Sequence, residues 1–97
     1  MTPLIQPQDV PYLPRGVRLQ GDRVRGIRVL QAPERAMQLD QIGEAILSEL
    51  DGARSLDRIV RDLAARYDAP GDQLGGDVRD FLTGLSERRM VVVRDSA

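Results

Sequence analysis

The sequence predicts an α+β domain of winged helix-turn-helix type, in which a small three-stranded antiparallel sheet is followed by three helices. Hydrophobic residues alternate with polar ones between residues 17 and 39, and they recur every three or four residues from residue 40 onward. Glycine or proline separates most of these segments. With 97 residues, of which 41% are hydrophobic, the chain can bury one modest core. We therefore expect a single domain over residues 15–94.

The two ends of the chain show no periodic pattern. Residues 1–14 contain four of the six prolines, and proline both fixes its backbone angle φ and lacks an N–H donor. This composition predicts a flexible, proline-rich arm at residues 1–14. Residues 95–97 are predicted to form a short polar tail.

The predicted sheet has three short strands joined by turns. Gly-Asp at residues 21 and 22 and Ala-Pro-Glu-Arg at residues 32–35 are the turn signals, and Gly26 is interpreted as a bulge that resets the alternation. Alternation should give the sheet one apolar face and one Arg-rich face. The apolar residues that alternate in the three strands are Val17 and Leu19, Ile27 and Val29, and Met37 and Leu39.

The three predicted helices follow from hydrophobic residues at helical spacing. Asp40 and Ser55 are suitable N-cap residues for the first two helices, and Pro70 ends the second. The first helix should extend to Leu50, and a short β-prone segment follows the third at residues 91–93. The residues predicted to face the core are Ile42, Ala45, Ile46 and Leu50, then Leu56, Ile59, Val60, Leu63 and Tyr67, then Leu74, Val78, Phe81, Leu82 and Leu85.

The composition excludes much of catalytic chemistry. The chain contains no Cys and no His, so it has neither a thiolate nucleophile nor the side chain that most often binds metals and transfers protons near neutral pH. The acidic residues fall at helix caps or on polar helix faces, where paired catalytic carboxylates are not expected. No phosphate-binding glycine motif is present. We therefore predict a protein that is not an enzyme and binds no cofactor and no metal.

Charge and hydropathy give expectations about partners and location. Residues 1–35 hold six Arg and three acids, whereas residues 36–97 hold eight Arg and twelve acids. The predicted third helix has a net charge of −1 between residues 71 and 89, so phosphates would be repelled as often as attracted. A DNA-binding regulator on a winged-helix scaffold is the alternative reading, but we expect no nucleic-acid partner.

No apolar run reaches the about 20 residues that span a bilayer, which predicts a cytoplasmic protein without a membrane partner.

The third strand, residues 35–39, is the feature that the fold alone does not explain. It is short and half polar, and it comes last in the sheet before the helices begin. An edge strand carries unpaired N–H and C=O groups that must be protected or used. One reading is an edge protected by its brevity and by Arg35. The other is β-augmentation, in which a partner peptide adds a strand; Met37→Pro, which removes a backbone donor, would then abolish binding.

Several short motifs, taken in order, resemble the PqqD family of pyrroloquinoline quinone (PQQ) biosynthesis. They are Arg-Gly-Val-Arg-Leu at residues 15–19, Ala-Pro-Glu-Arg at 32–35, Leu-Asp at 39–40, Asp-Gly at 51–52 and Ile-Val-Arg-Asp-Leu-Ala-Ala-Arg-Tyr-Asp-Ala-Pro at 59–70. The resemblance covers residues 15 to about 90. It implies a recognition element for a ribosomally synthesised and post-translationally modified peptide (RiPP), a winged helix-turn-helix domain that performs no chemistry.

The resemblance also implies partners and a site. Such a chaperone binds a PqqA-like precursor peptide and presents it to a PqqE-like radical SAM enzyme. In this fold class the peptide pairs with the third strand and lies against the third helix. By position, the expected peptide-binding residues are Arg35, Ala36, Met37, Gln38, Leu39, Asp77, Phe81, Gly84 and Arg88. The exposed edge also leaves a homodimer open.

Overall fold

The computed structural model describes residues 5–22 and 24–94, which form an α+β fold with two antiparallel sheets and three helices. In chain order the elements are β1 (Val10–Tyr12), β2 (Arg18–Asp22), β3 (Ile27–Ala32), β4 (Arg35–Leu39), α1 (Gln41–Ser48), α2 (Leu56–Tyr67), α3 (Gly71–Glu87) and β5 (Val92–Arg94). The predicted third strand therefore corresponds to β4. The predicted tail at residues 95–97 lies outside the described residues.

The three-stranded sheet has the order β2-β3-β4, but its turn and its faces differ from the prediction. β2 continues through Asp22, which pairs with Ile27, so the predicted turn at residues 21 and 22 is wrong. The chain turns between these paired residues instead. Gly26 lies in that turn with φ at +69°, where glycine is favoured, and is not a bulge.

The face of the sheet that meets the helices carries both apolar and basic side chains. Leu30 on β3 is fully buried, and Met37 on β4 is its register partner on the same face. Arg28 and Arg35 share this face, because they lie two residues from Leu30 and Met37. Arg28 forms an ion pair of 2.7 Å with Glu44 of α1. The predicted separation into an apolar face and an Arg-rich face is therefore wrong.

The helix caps agree with the sequence, whereas the buried face of α1 does not. Asp40 accepts a hydrogen bond from the Gly43 N–H at 2.7 Å, and the helix ends at Ser48, before the predicted Leu50. The buried residues of α1 are Gly43, Ile46 and Leu47. Ile42 is instead 67% exposed. Each residue advances the helix by about 100°, so burial of position 43 turns position 42 toward solvent.

The end of the proline-rich segment packs against the domain, which corrects the predicted flexible arm for residues 5–14. Ile5 is 2% exposed and belongs to the core. β1 pairs antiparallel with β5. The carbonyls of Pro7 and Asp9 accept hydrogen bonds from the backbone N–H groups of Asp57 and Leu56, at 2.9 and 2.8 Å. Proline lacks a donor but keeps its carbonyl, so this segment satisfies N–H groups that a helix start leaves without partners.

Replacing Ile5 by Ala is expected to lower the free energy of unfolding by about 2 to 4 kcal/mol, because it empties a space in the core. Ile42→Ala deletes the same atoms from a mostly exposed position and should change stability by less than about 1 kcal/mol. Urea unfolding followed by circular dichroism measures both. Equal stabilities for the two variants would show that residue 5 does not belong to the core in solution.

Among the described residues, no helix combines the length and the apolar character that crossing a membrane requires.

Candidate functional site

The outer edge of β4 has no strand beside it in the part of the chain that the structure describes. Residues 33 and 34 connect β3 to β4, so Ala32 and Arg35 are the pair next to a two-residue turn. Such a pair exchanges hydrogen bonds, and hydrogen-bonded pairs then alternate along an antiparallel ladder. Met37 and Leu39 are therefore the residues of β4 that also pair through hydrogen bonds with β3.

The same alternation decides which backbone groups face outward. The N–H and C=O groups of Ala36 and Gln38 point away from β3, toward the open edge. Both residues are exposed. This edge offers two donors and two acceptors in the spacing that an added strand requires.

The start of β4 is attached to the C-terminal end of α3. The Arg35 guanidinium donates a hydrogen bond to the carbonyl oxygen of Arg88, the residue that caps α3. The last carbonyls of a helix lack partners within the helix and attract cations. Arg88 in turn places its Nη1 atom 3.6 Å from the sulfur of Met37. These contacts hold the predicted site residues 35, 37 and 88 together.

Farther along, β4 and α3 meet the start of α1 at Gly43. A β-carbon added at Gly43 would lie 3.2 Å from Cζ of Phe81 and 3.5 Å from Cδ2 of Leu39. A side chain at position 43 would therefore be tight against Phe81, whereas its contact with Leu39 would be an ordinary one. Phe81 is half-buried, whereas Leu39 is buried in the core. The absence of a side chain at Gly43 thus allows the three elements to approach closely.

Gly84 lies on the same stripe of α3, three residues after Phe81 and four before Arg88. A β-carbon added at Gly84 would meet no atom within 4 Å. The surface of α3 is therefore recessed at this position. The two ends of this stripe lie near β4, Phe81 close to Gly43 and Leu39 and Arg88 at Met37, and Gly84 leaves an open space between them.

Asp77, the remaining predicted site residue, does not lie beside β4 but in a second depression. This depression, which we call the interhelical groove, has a volume of about 530 Å³ and lies between the three helices. It is lined by Gln41, Ile42, Ala45 and Ile46 of α1, Leu63 and Tyr67 of α2, and Leu74 and Asp77 of α3.

Two of the groove residues were predicted to be core residues and are exposed. Ile42 is 67% exposed and Tyr67 is 59% exposed. Their helical spacing indicated a buried face, and the core is filled without them. The sequence did contain a signal for an exposed apolar groove, because α1 and α2 carry more apolar residues than a narrow core-facing stripe requires.

A cluster of ion pairs outside this site joins the loop after α1 to α2. Arg54 donates to Asp62 at 2.7 Å, to Asp51 at 2.9 Å and to Glu49 at 3.2 Å. Arg66 donates to the second oxygen of Glu49 at 2.6 Å. Glu49 is only 7% exposed, so these partners compensate a buried carboxylate. The polar face of α2 therefore contributes Asp62 and Arg66 to a structural network.

Hydrogen bonds from arginine account for most of the altered pKa values in the cluster. The pKa of Glu49 is lowered chiefly by the bond from Arg66, although burial opposes this, and the pKa of Asp62 is lowered chiefly by the bond from Arg54. The pKa of Arg54 is raised, first by Asp62, and that of Arg66 is raised by Glu49. The backbone N–H groups of Arg54 and Ala53 lower the pKa of Asp51 from 3.8 to about 2.

The lowered pKa of Asp51 predicts a pH dependence of stability. Between pH 3.8 and about 2, the unfolded chain binds a proton at this carboxyl that the folded chain excludes, so the free energy of unfolding should fall as pH falls through this window. Asp51→Asn should reduce that slope, as measured by urea unfolding at a series of pH values. A slope identical to that of the unaltered protein would contradict the prediction.

Nothing in the described residues groups three or more His, Cys, Asp or Glu side chains in a way that could hold a metal ion. The ion-pair cluster has its charges already matched with one another. The open edge of β4, the recess at Gly84 and the interhelical groove are the candidate interaction features.

The fold and this edge define a class of protein: a small α+β domain whose sheet is open to a further strand beside a helix. Residues 28–91 match the family model described as "Coenzyme PQQ synthesis protein D (PqqD)". The chain belongs to the PqqD family. Family membership places it among the non-catalytic proteins of PQQ synthesis, so the prediction that it is not an enzyme is confirmed.

Similar proteins support the assignment. The chain is 52% identical over 91 residues to "PqqA binding protein" of Rhizobium meliloti, covering 94% of this chain and 93% of that protein. It is 42% identical to "Bifunctional coenzyme PQQ synthesis protein C/D" of Methylorubrum extorquens, covering 86% of this chain but 22% of that longer protein.

The fold is also similar to a solved structure. The solution structure of the PqqD part of Methylobacterium extorquens PqqCD superposes with a TM-score of 0.78 at 40% identity, covering 91% of this chain and 94% of that one. That protein is described as a functional, stand-alone RiPP recognition element.

Proposed function

We propose that this protein binds a PqqA-like precursor peptide by strand addition to the outer edge of β4, next to α3. The observation that carries this proposal is the open edge at Ala36 and Gln38, with α3 held beside it by Arg35 and Arg88. The names of the relatives support the choice of peptide, since the Rhizobium meliloti protein is a PqqA binding protein. The peptide backbone would complete the ladder that β4 leaves open.

Side chains of the bound peptide would alternate between two environments. Those on the inner side would meet the recess at Gly84, with half-buried Phe81 on one side and Arg88 on the other. Those on the outer side would face solvent beside Ala36 and Gln38. Main-chain hydrogen bonds would supply affinity, and the recess would select among side chains.

A titration of isotopically labelled protein with a synthetic PqqA peptide, followed by NMR at each backbone amide, tests this function. We expect the largest shifts at Arg35–Leu39 and from Phe81 to Arg88. Shifts confined to β2, the other edge of the sheet, would show that the peptide adds to β2 and would contradict strand addition at β4. The absence of shifts at near-millimolar peptide, both with and without a PqqE-like enzyme present, would refute peptide binding.

Gly84→Ala should separate stability from binding. Alanine stabilises a helix interior by about 1 kcal/mol relative to glycine, and the added methyl group meets no atom of the free protein. The same methyl group would occupy the recess and weaken peptide binding, by about fivefold in a calorimetric titration.

Gly76→Ala is the matched control for this prediction. Gly76 also lies in α3 and also has open space at its β-carbon, but it is not on the stripe from Phe81 to Arg88 and lines a different depression, together with Pro7 and Asp57. It should give a similar gain in stability with unchanged affinity. Equal affinities for both variants would mean that the peptide does not approach Gly84.

We also propose that the bound peptide is presented to a PqqE-like radical SAM enzyme in the cytoplasm. A relative in which the PqqD part is joined to another PQQ synthesis protein supports action next to an enzyme of the pathway. The winged helix-turn-helix description and a homodimer stay predictions. DNA binding is not favoured, because α3 exposes Asp72, Asp77, Asp80 and Glu87.

A further inference from the structure

We infer that the interhelical groove receives a bulky apolar side chain of the same peptide, from the part of the peptide that continues past Leu39. This inference rests on the proposed function and adds a second contact to it. The groove is distinct from the recess at Gly84, because it lies between the helices and not beside the strand.

The lining of the groove suits an apolar side chain. Most of it is aliphatic or aromatic, with Gln41 and Asp77 as the polar residues. Its volume of about 530 Å³ falls within the range of about 300 to 1,000 Å³ that is usual for ligand pockets. A mainly apolar pocket with few polar groups binds by burial of apolar surface and uses the polar groups for orientation.

Exposure of Ile42 and Tyr67 is the second observation. They are two of only four large hydrophobic residues that are strongly exposed in the described part of the chain, and both line this groove. Adjacent exposed apolar residues commonly mark an interaction site. An apolar side chain in the groove would cover both at once.

Continuity with β4 identifies the occupant. Gln41, at the rim of the groove, is only two residues beyond Leu39, the last residue of β4. An extended chain advances about 3.3 Å per residue. A peptide paired with Ala36 and Gln38 would therefore reach the groove within two to four further residues.

The carboxylate of Asp77 adds a preference in charge. It is exposed at the rim of the groove, whereas Arg35 and Arg88 lie at the opposite end of β4. A peptide with a cation near its apolar anchor and an acid near the other end of the paired segment would match both ends. A second copy of this chain could compete with the peptide only if it presented the same order of groups, a cation near an apolar anchor and an acid at the other end of the paired segment.

The test compares dissociation constants for a synthetic PqqA peptide by isothermal titration calorimetry. Ile42→Gln and Tyr67→Gln should each weaken binding by about tenfold, because each removes part of the apolar surface that the anchor covers. Val92→Gln, which alters an exposed apolar residue on β5, is the matched control and should leave affinity unchanged. Replacing the apolar anchor residue of the peptide by Ser should weaken its binding to the unaltered protein. The same change in the peptide should not further weaken its binding to the Ile42→Gln variant.

The outcomes separate this inference from the proposed function. Loss of binding in Gln38→Pro together with unchanged affinity in both groove variants would overturn the groove contact and leave strand addition in place. A change of oligomeric state in Ile42→Gln without a change in affinity would assign the groove to a second copy and overturn the inference. No binding of the peptide to the unaltered protein would overturn both. Thermal unfolding of each variant checks that it is folded.

Discussion

Replacing Gln38 by Pro is expected to weaken binding of a PqqA peptide on the order of 100-fold, with the fold retained. The N–H group of Gln38 points to the open edge, so its removal takes a hydrogen bond from the incoming strand and leaves a peptide carbonyl unpaired. The proline ring also occupies the path of that strand. Proline is tolerated at an edge position whose N–H does not bond to the sheet. Titration calorimetry gives the affinity, and circular dichroism checks the fold.

Gln38→Ala is the matched control, because it removes the side chain and keeps the backbone donor. It should bind within about threefold of the unaltered protein. If both variants lose affinity equally, the side chain and not the backbone carries the contact. If Gln38→Pro binds tightly while folded, strand addition at β4 is refuted.

The register changes which substitution is informative. Met37→Pro was expected from the sequence to abolish binding, but Met37 is the register partner of Leu30 within the hairpin. Its N–H group bonds to β3 by the alternation described above. Proline at position 37 would therefore disrupt the sheet itself, and a loss of binding would not identify the edge.

Replacing Arg54 by Met is expected to lower the free energy of unfolding by about 3 kcal/mol. Arg54 donates to both the carboxylate and the backbone carbonyl of Glu49, and it reaches Asp51 and Asp62 as well. Its loss leaves the buried carboxylate of Glu49 with Arg66 as the remaining arginine donor among the described contacts. Removing one partner of a buried ion pair is costly because the desolvated charge is no longer compensated. Urea unfolding at pH 7 measures the change.

Two further variants give this prediction its controls. Arg61→Met removes an arginine from an exposed pair with Asp57 on the same helix and should change stability little. Adding Glu49→Leu to Arg54→Met removes the uncompensated charge and should restore part of the loss. A double variant no more stable than Arg54→Met would show that the cost does not arise from Glu49.

The sequence allowed the elements of the fold to be predicted where the signal is local. Asp40 and Ser55 accept hydrogen bonds from backbone N–H groups three residues later, as their positions predicted. The third strand of the sheet begins and ends where the alternation indicated, at Arg35 and Leu39. These features depend on a few neighbouring residues, so the local sequence is sufficient.

Features that depend on distant partners were not predicted. β1 exists because residues 92–94 lie beside it in space, and the prolines nearby gave no periodic signal. Ile42 and Tyr67 had the spacing of core residues but are exposed, and on α1 it is the burial of Gly43 that turns Ile42 toward solvent. The error at Ile42 and Tyr67 arose because a periodic pattern shows that a face is apolar and does not show what covers it.

The sequence by itself determined the order of the main sheet and the helices, the caps, the short strand at residues 35–39 and the resemblance to the PqqD family. Only the tertiary structure decided that Ala36 and Gln38 face the open edge, that Arg35 and Arg88 join β4 to α3, and that Asp77 lies in a separate groove. Local preferences act between neighbours along the chain, whereas the outward direction of a backbone N–H and the shape of a groove are set by elements that meet only when the chain folds.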